Sequence, residues 1–143
     1  MYIILTEMGH LSLSLLIGYA CFKIFRRISG FVPALLSGFF VDFDHLIDYF
    51  IHKGLSFDVS NFISGRHYHE TNTSYIFFHS WELVLFLGVL TYYSKKKYIW
   101  CPLVLGLTFH LLWDYLTNPV HWYTYFFTAR YLLGFALDKL FVF

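Results

Sequence analysis

The run FVPALLSGFFVDFDHLIDYFI, residues 31–51, decides the fold. Its length matches the roughly 20 apolar residues that a helix needs to cross a bilayer, yet it carries Asp42, Asp44, His45 and Asp48. A charged side chain near the bilayer centre costs roughly 2.5–3.5 kcal/mol even on a lenient insertion scale, so these groups have to face protein rather than lipid. Three further runs repeat the pattern: Ile3–Phe22 carries His10, Tyr75–Tyr93 carries His79 and Glu82, and Tyr98–Leu116 carries His110 and Asp114. A fifth apolar stretch, Trp122–Phe143, is interrupted by Arg130, Asp138 and Lys139. It reads as a fifth helix, either a short span or one lying in the interface. The expected fold is all-α, an integral membrane bundle of four to five transmembrane helices, in a single membrane-embedded domain over residues 1–143.

Composition agrees. A chain of 143 residues allows one domain. Charged residues make up 13% of it, about half the share found in soluble domains. A net charge of +1 leaves no basic face for a phosphate backbone, which excludes nucleic acid as a partner. Cys21 and Cys101 both lie in apolar runs and are too few for a disulfide framework. The first residues lack a basic region and a small-residue cleavage site, so no removable leader is predicted.

Orientation follows from the cations. Lys23, Arg26 and Arg27 follow the first run, and Lys95, Lys96 and Lys97 follow the third. Alternating crossings put both clusters on one side, which the positive-inside rule makes cytoplasmic. His10, Asp42, Asp44, His79, His110 and Asp114 then fall in the opposite leaflet, although the topology was set by Lys and Arg alone. The expected location is the cytoplasmic (inner) membrane, multi-pass, with the site towards the non-cytoplasmic face. Residues 52–74 form the longest polar stretch, rich in Gly, Ser, Asp and Asn, and read as an irregular outer loop capping the site. His52, His67 and His69 read as loop surface, His69 also as a late ligand, and Asp48 as a solvated helix end. Tyr2, Trp100, Trp122, Tyr123 and Tyr125 read as an interfacial belt.

The sharpest local signal is His110-Leu-Leu-Trp-Asp114. Residues four apart stack on one helix face, so an imidazole and a carboxylate point at one spot. Both are zinc ligands at about 2.0–2.2 Å; the alternative is a His–Asp hydrogen bond between helices. Asp42 and His45 share a face, while Asp44 lies about 160° from Asp42 on a regular helix. All three converge only if the helix breaks or the site surrounds it, and Gly38 suits a break. The rival reading of this stretch is a proton or sodium path. His79 and Glu82 make a third His–carboxylate pair, with Glu82 either binding metal or orienting a ligating His. His10 joins as a lone intramembrane His, and His121, just past Pro119, as a further candidate.

In order and spacing, His10, Val-Asp42-Phe-Asp44-His45-Leu, Phe-His79-Ser-Trp-Glu82 and His110-Leu-Leu-Trp-Asp114 resemble the membrane-bound metal-dependent hydrolases, including the LexA-regulated inner-membrane type. A fainter similarity, to zinc-dependent phospholipase C, lies in the order His, Asp, His and His-x-x-x-Asp followed by Pro-x-His. These resemblances imply metal-assisted cleavage of a phosphoester in a lipid or other membrane-borne substrate. They place His10, Asp42, Asp44, His79, His110 and Asp114 around one to three zinc ions, with Asp42 or Asp44 as the catalytic base. Manganese and iron accept the same ligand types. Two other classes stay open at this stage: an ion- or proton-coupled transporter using the intramembrane carboxylates, and a structural membrane protein stapled by zinc.

Overall fold

A computed structural model of the chain describes residues 2–142. Met1, Phe143 and the side chains of residues 2–4, among them Tyr2 of the expected belt, lie outside what is described. Among the described residues the protein is all-helical, with two isolated bridges, Thr73 to Ala136 and Val120 to Phe141, in place of any sheet. The helices are α1 (Tyr2–Phe25), α2 (Val32–Gly38), α3 (Phe43–Lys53), α4 (Val59–Ile63), α5 (Arg66–Thr71), α6 (Trp81–Tyr93), α7 (Lys97–Thr117), α8 (Phe127–Leu132) and α9 (Leu137–Leu140). α7 is the central post, packed by α1, α2 and α6.

Leu5–Phe25 within α1 and the whole of α7 are long and apolar enough to cross a membrane. Ile28–Gly38 and Phe40–Lys53 together make a third candidate, bent by 41°. The bend is one of the two arrangements that the Asp42–Asp44 spacing left open, a broken helix. α2 stops at Gly38, Phe39 leaves helical geometry, and a 3-10 turn over Phe40–Asp42 restarts the chain as α3. The outer surface is apolar, with Leu16, Leu85, Phe86 and Leu116 all exposed, while His10, Asp44, His79, His110 and Asp114 are buried. That inside-out distribution suits lipid rather than water.

Three expected elements differ. The third run, Tyr75–Tyr93, is helical only from Trp81, because the Ser80 hydroxyl caps α6 by accepting the Leu83 N–H at 3.1 Å. Its 13 residues reach about 20 Å, short of the roughly 30 Å hydrocarbon core. The preceding segment is extended, and α3 satisfies it: Asp48 accepts the Tyr75 N–H and Asp44 the Phe78 N–H. Residues 122–142 fold as the short helices α8 and α9 with turns between, not as one membrane-length helix. Tyr125 leaves the expected belt for the core beside Leu107 and Leu111. The 52–74 stretch is not an irregular loop but carries α4 and α5, with Asp58 capping α4 through the N–H groups of Ser60 and Asn61. Asp48, His52 and His67 are correspondingly buried rather than solvated.

Close helix contact depends on small residues, as membrane bundles require. A Cβ on Gly106 would stand 2.5 Å from the Ala34 carbonyl oxygen, and one on Gly38 would stand 2.4 Å from Ser14 Oγ. A Cβ on Gly88 would meet nothing within 4 Å. Gly106→Ala is therefore expected to destabilise by about 1–3 kcal/mol through overpacking. Gly88→Ala, in a helix interior, should gain about 0.5–1 kcal/mol. Thermal unfolding in detergent checks both, and equal melting temperatures for the two variants would contradict this packing.

Candidate metal centre

Four elements deliver the polar side chains to one place. α1 brings His10, the broken α2–α3 segment brings Asp42, Asp44 and His45, the irregular segment before α6 brings His79, and α7 brings His110 and Asp114. Three overlapping sets hold ligand atoms close enough to share an ion: His10, Asp42 and His110; Asp42, His45 and His79; His79, His110 and Asp114.

Hydrogen bonding outside the cluster decides what faces inward. The break frees the Gly38 carbonyl, and His110 Nδ1–H donates to it at 3.1 Å. Since a carbonyl only accepts, His110 Nε2 is left as a lone pair. His79 Nδ1–H donates to Asp44 Oδ2 at 2.9 Å, which in the neutral ring leaves His79 Nε2 as a lone pair too. These two nitrogens face each other at 2.9 Å. Asp42 Oδ1 lies 3.1 Å from His79 Nε2 and 3.5 Å from His110 Nε2. Asp114 Oδ2 lies 3.7 and 3.2 Å from the same two atoms. Four acceptors thus converge with no hydrogen of their own to share. The five separations, 2.9 to 3.7 Å, scatter around the roughly 3.4 Å edge between two ligands of an ion whose bonds measure about 2.1 Å. A proton would satisfy one such contact, whereas a divalent ion in any of the three sets satisfies several at once.

The surrounding residues hold these ligands in place. Asp44 lies behind the His79 ring as an orienting carboxylate, a pattern common around metal-bound His. His10 stacks on His110, with ring centroids 4.0 Å apart, and its Nε2 reaches Asp114 Oδ1 at 3.1 Å. His45 stands at the lip: its Nε2 is 3.6 Å from Asp42 Oδ1, and its Nδ1 is 2.8 Å from the Tyr68 hydroxyl of α5. The side chains of Asp42 and His45, 18% and 35% exposed, are the accessible edge of a centre otherwise sealed. His10 Nδ1, Asp42 Oδ2 and Asp44 Oδ1 are buried without a hydrogen-bond partner, so donor capacity is in surplus. Nitrogen and carboxylate oxygen without sulfur suit zinc and also manganese or iron.

The other candidates go elsewhere. Glu82 accepts the Phe127 and Thr128 N–H groups and caps α8. Because Ser80 starts α6, His79 and Glu82 do not share a helical face. His121 stacks on Tyr123, and His69 is exposed on α5; both stand outside the three sets. Sequence reasoning missed Arg130, which is fully buried and donates from Nη2 to the His79 carbonyl at 2.9 Å. Burial pulls its pKa down to about 10, which leaves it charged at neutral pH behind a site rich in carboxylates. No protein-family model, curated protein or solved structure matches this chain.

Asp44→Asn is expected to weaken zinc affinity about 10- to 100-fold, since outer partners of ligating His carry that much. Competition with a chromogenic chelator measures it, and an unchanged affinity would remove Asp44 from the orienting role.

Proposed function

We propose that this chain is a metal-dependent hydrolase of the cytoplasmic (inner) membrane, of the membrane-bound family it resembles, cleaving a phosphoester of a lipid substrate at the outer leaflet. The observation that carries the reading is the set of four facing acceptors, His79 Nε2, His110 Nε2, Asp42 Oδ1 and Asp114 Oδ2. In this reading the broken α2–α3 pair is one crossing, α6 with its extended lead-in is a short one, and α1 and α7 complete a four-crossing bundle. The short C-terminal helices lie at its edge.

Zinc, as one to three ions, supplies Lewis acidity towards the phosphoryl oxygen and acidifies water. The protein's own groups do the rest. Asp44 and the Gly38 carbonyl fix the tautomers of His79 and His110, and His10 steadies Asp114. Asp42, whose buried Oδ2 is left without a hydrogen-bond partner beside the centre, is placed to take the proton of an attacking water bound there. His45 beside it, held by Tyr68, is placed to protonate the leaving oxygen. A lipid substrate is supported by an apolar groove of about 300 Å³ lined by Leu36, Val41, Phe78, Leu87 and Leu107. Two of its lining residues, Val41 and Phe78, are the chain neighbours of Asp42 and His79.

One observation favours a second reading. Four protein ligands around one ion would close a tetrahedron, and closed sites are structural rather than catalytic. Elemental analysis of detergent-purified protein, beside His110→Ala and Asp42→Ala, separates the readings when paired with a phospholipid and phosphoester screen. The hydrolase reading expects bound zinc or manganese, lost in both variants, and turnover that falls to background with it. Bound metal without turnover on any phosphoester leaves the zinc staple. No metal in a well-folded chain moves the assignment to ion-coupled transport.

A further inference from the structure

A second group of polar side chains is buried beyond the first, beneath α4 and α5. Along α3, Asp44, Asp48 and His52 recur every four residues, so one polar stripe runs from the inner centre towards the cap. Asp48 is 0% exposed and the His52 side chain 3%, and His67 of α5, at 1%, packs over them. Asp48 Oδ1 accepts the Tyr75 N–H and faces His52 Nε2 at 3.5 Å. Asp48 Oδ2, His52 Nε2, Asn61 Oδ1 and both ring nitrogens of His67 lack a hydrogen bond of good geometry. The Tyr68 hydroxyl beside Asp48 and the Asn61 backbone beside His67 are weak partners only. Burying this many polar atoms unsatisfied is costly unless something joins them.

We propose that Asp48, His52 and His67 form a second divalent-cation site, distinct from the inner centre and roofed by the outer helices. The 3.5 Å between Asp48 Oδ1 and His52 Nε2 is close to the roughly 3.4 Å edge between two ligands of one tetrahedral ion. The rings of His52 and His67 lie 5.9 Å apart between centroids, a little beyond the roughly 5.2 Å that two imidazoles span across a shared tetrahedral ion. The group is more open than the inner sets, and a shared ion requires the His67 ring to turn towards Asp48 and His52. Ring contacts with Tyr68 at 4.0 Å and Tyr49 at 4.8 Å pack that side chain. Burial lowers the pKa of His67, which keeps its ring in the neutral, metal-binding form. Mixed nitrogen and oxygen donors suit zinc or a neighbouring first-row ion. The second site does not depend on the inner centre being catalytic.

The test is equilibrium dialysis of the full chain in detergent against zinc, followed by elemental analysis. Wild type is compared with His67→Ala, His52→Gln and the inner variant Asp114→Asn. Each outer variant should hold one equivalent less than wild type, while Asp114→Asn keeps the outer equivalent. Equal zinc in wild type and both outer variants would overturn the second site and leave the inner one standing. Loss confined to the outer variants would instead count against the inner centre. Should the outer variants fail to fold, anomalous scattering from zinc-soaked wild-type crystals decides. A peak between Asp48 and His52 supports the site, and zinc at the inner centre alone refutes it.

Discussion

Lone pairs that face one another in a low-dielectric interior repel, and the structure is organised around that constraint. His79, His110, Asp42 and Asp114 converge from three segments, and His79, His110 and Asp114 are held in their inward pose by a bond on the far side or by a neighbouring ring. Such an arrangement is unfavourable by itself. A cation among these groups would make it favourable, and would join α7 to the broken helix and to the segment before α6.

The same chemistry accounts for the irregular backbone. Unpaired N–H and C=O groups are not tolerated in hydrocarbon unless they are satisfied internally. The broken helix exposes the Gly38 carbonyl, which His110 takes, and the extended segment exposes the Tyr75 and Phe78 N–H groups, which Asp48 and Asp44 take. Side chains that orient the site therefore also make its non-helical backbone possible. Arg130 does similar service at the His79 carbonyl and brings a buried positive charge beside the carboxylates.

The inner cluster was legible in the sequence because charge in an apolar run has one tolerable destination. That rule singled out His10, Asp42, Asp44, His79, His110 and Asp114, and the 160° problem left a broken second run or a site surrounding it, of which the structure has the break. It failed where linear spacing hides competing partners. Glu82 lies three residues from His79, but Ser80 caps the helix between them, and the free N–H groups of α8 claim the carboxylate. Asp48, His52 and His67 were misread because the polar composition of 52–74 suggests a solvated loop, whereas α3 runs on to Lys53 and the cap folds over it. Arg130 could have been found by applying to a cation the argument applied to carboxylates.

The bond between His110 and the Gly38 carbonyl spans 72 positions of sequence. During synthesis the bent segment emerges long before α7, so for that interval its carbonyl must rely on water or on other proteins of the membrane. The bent segment thus lacks this hydrogen bond when it is made. Its geometry is completed retroactively, by a residue the ribosome adds some seventy codons later, and the order of translation becomes part of how the centre is assembled.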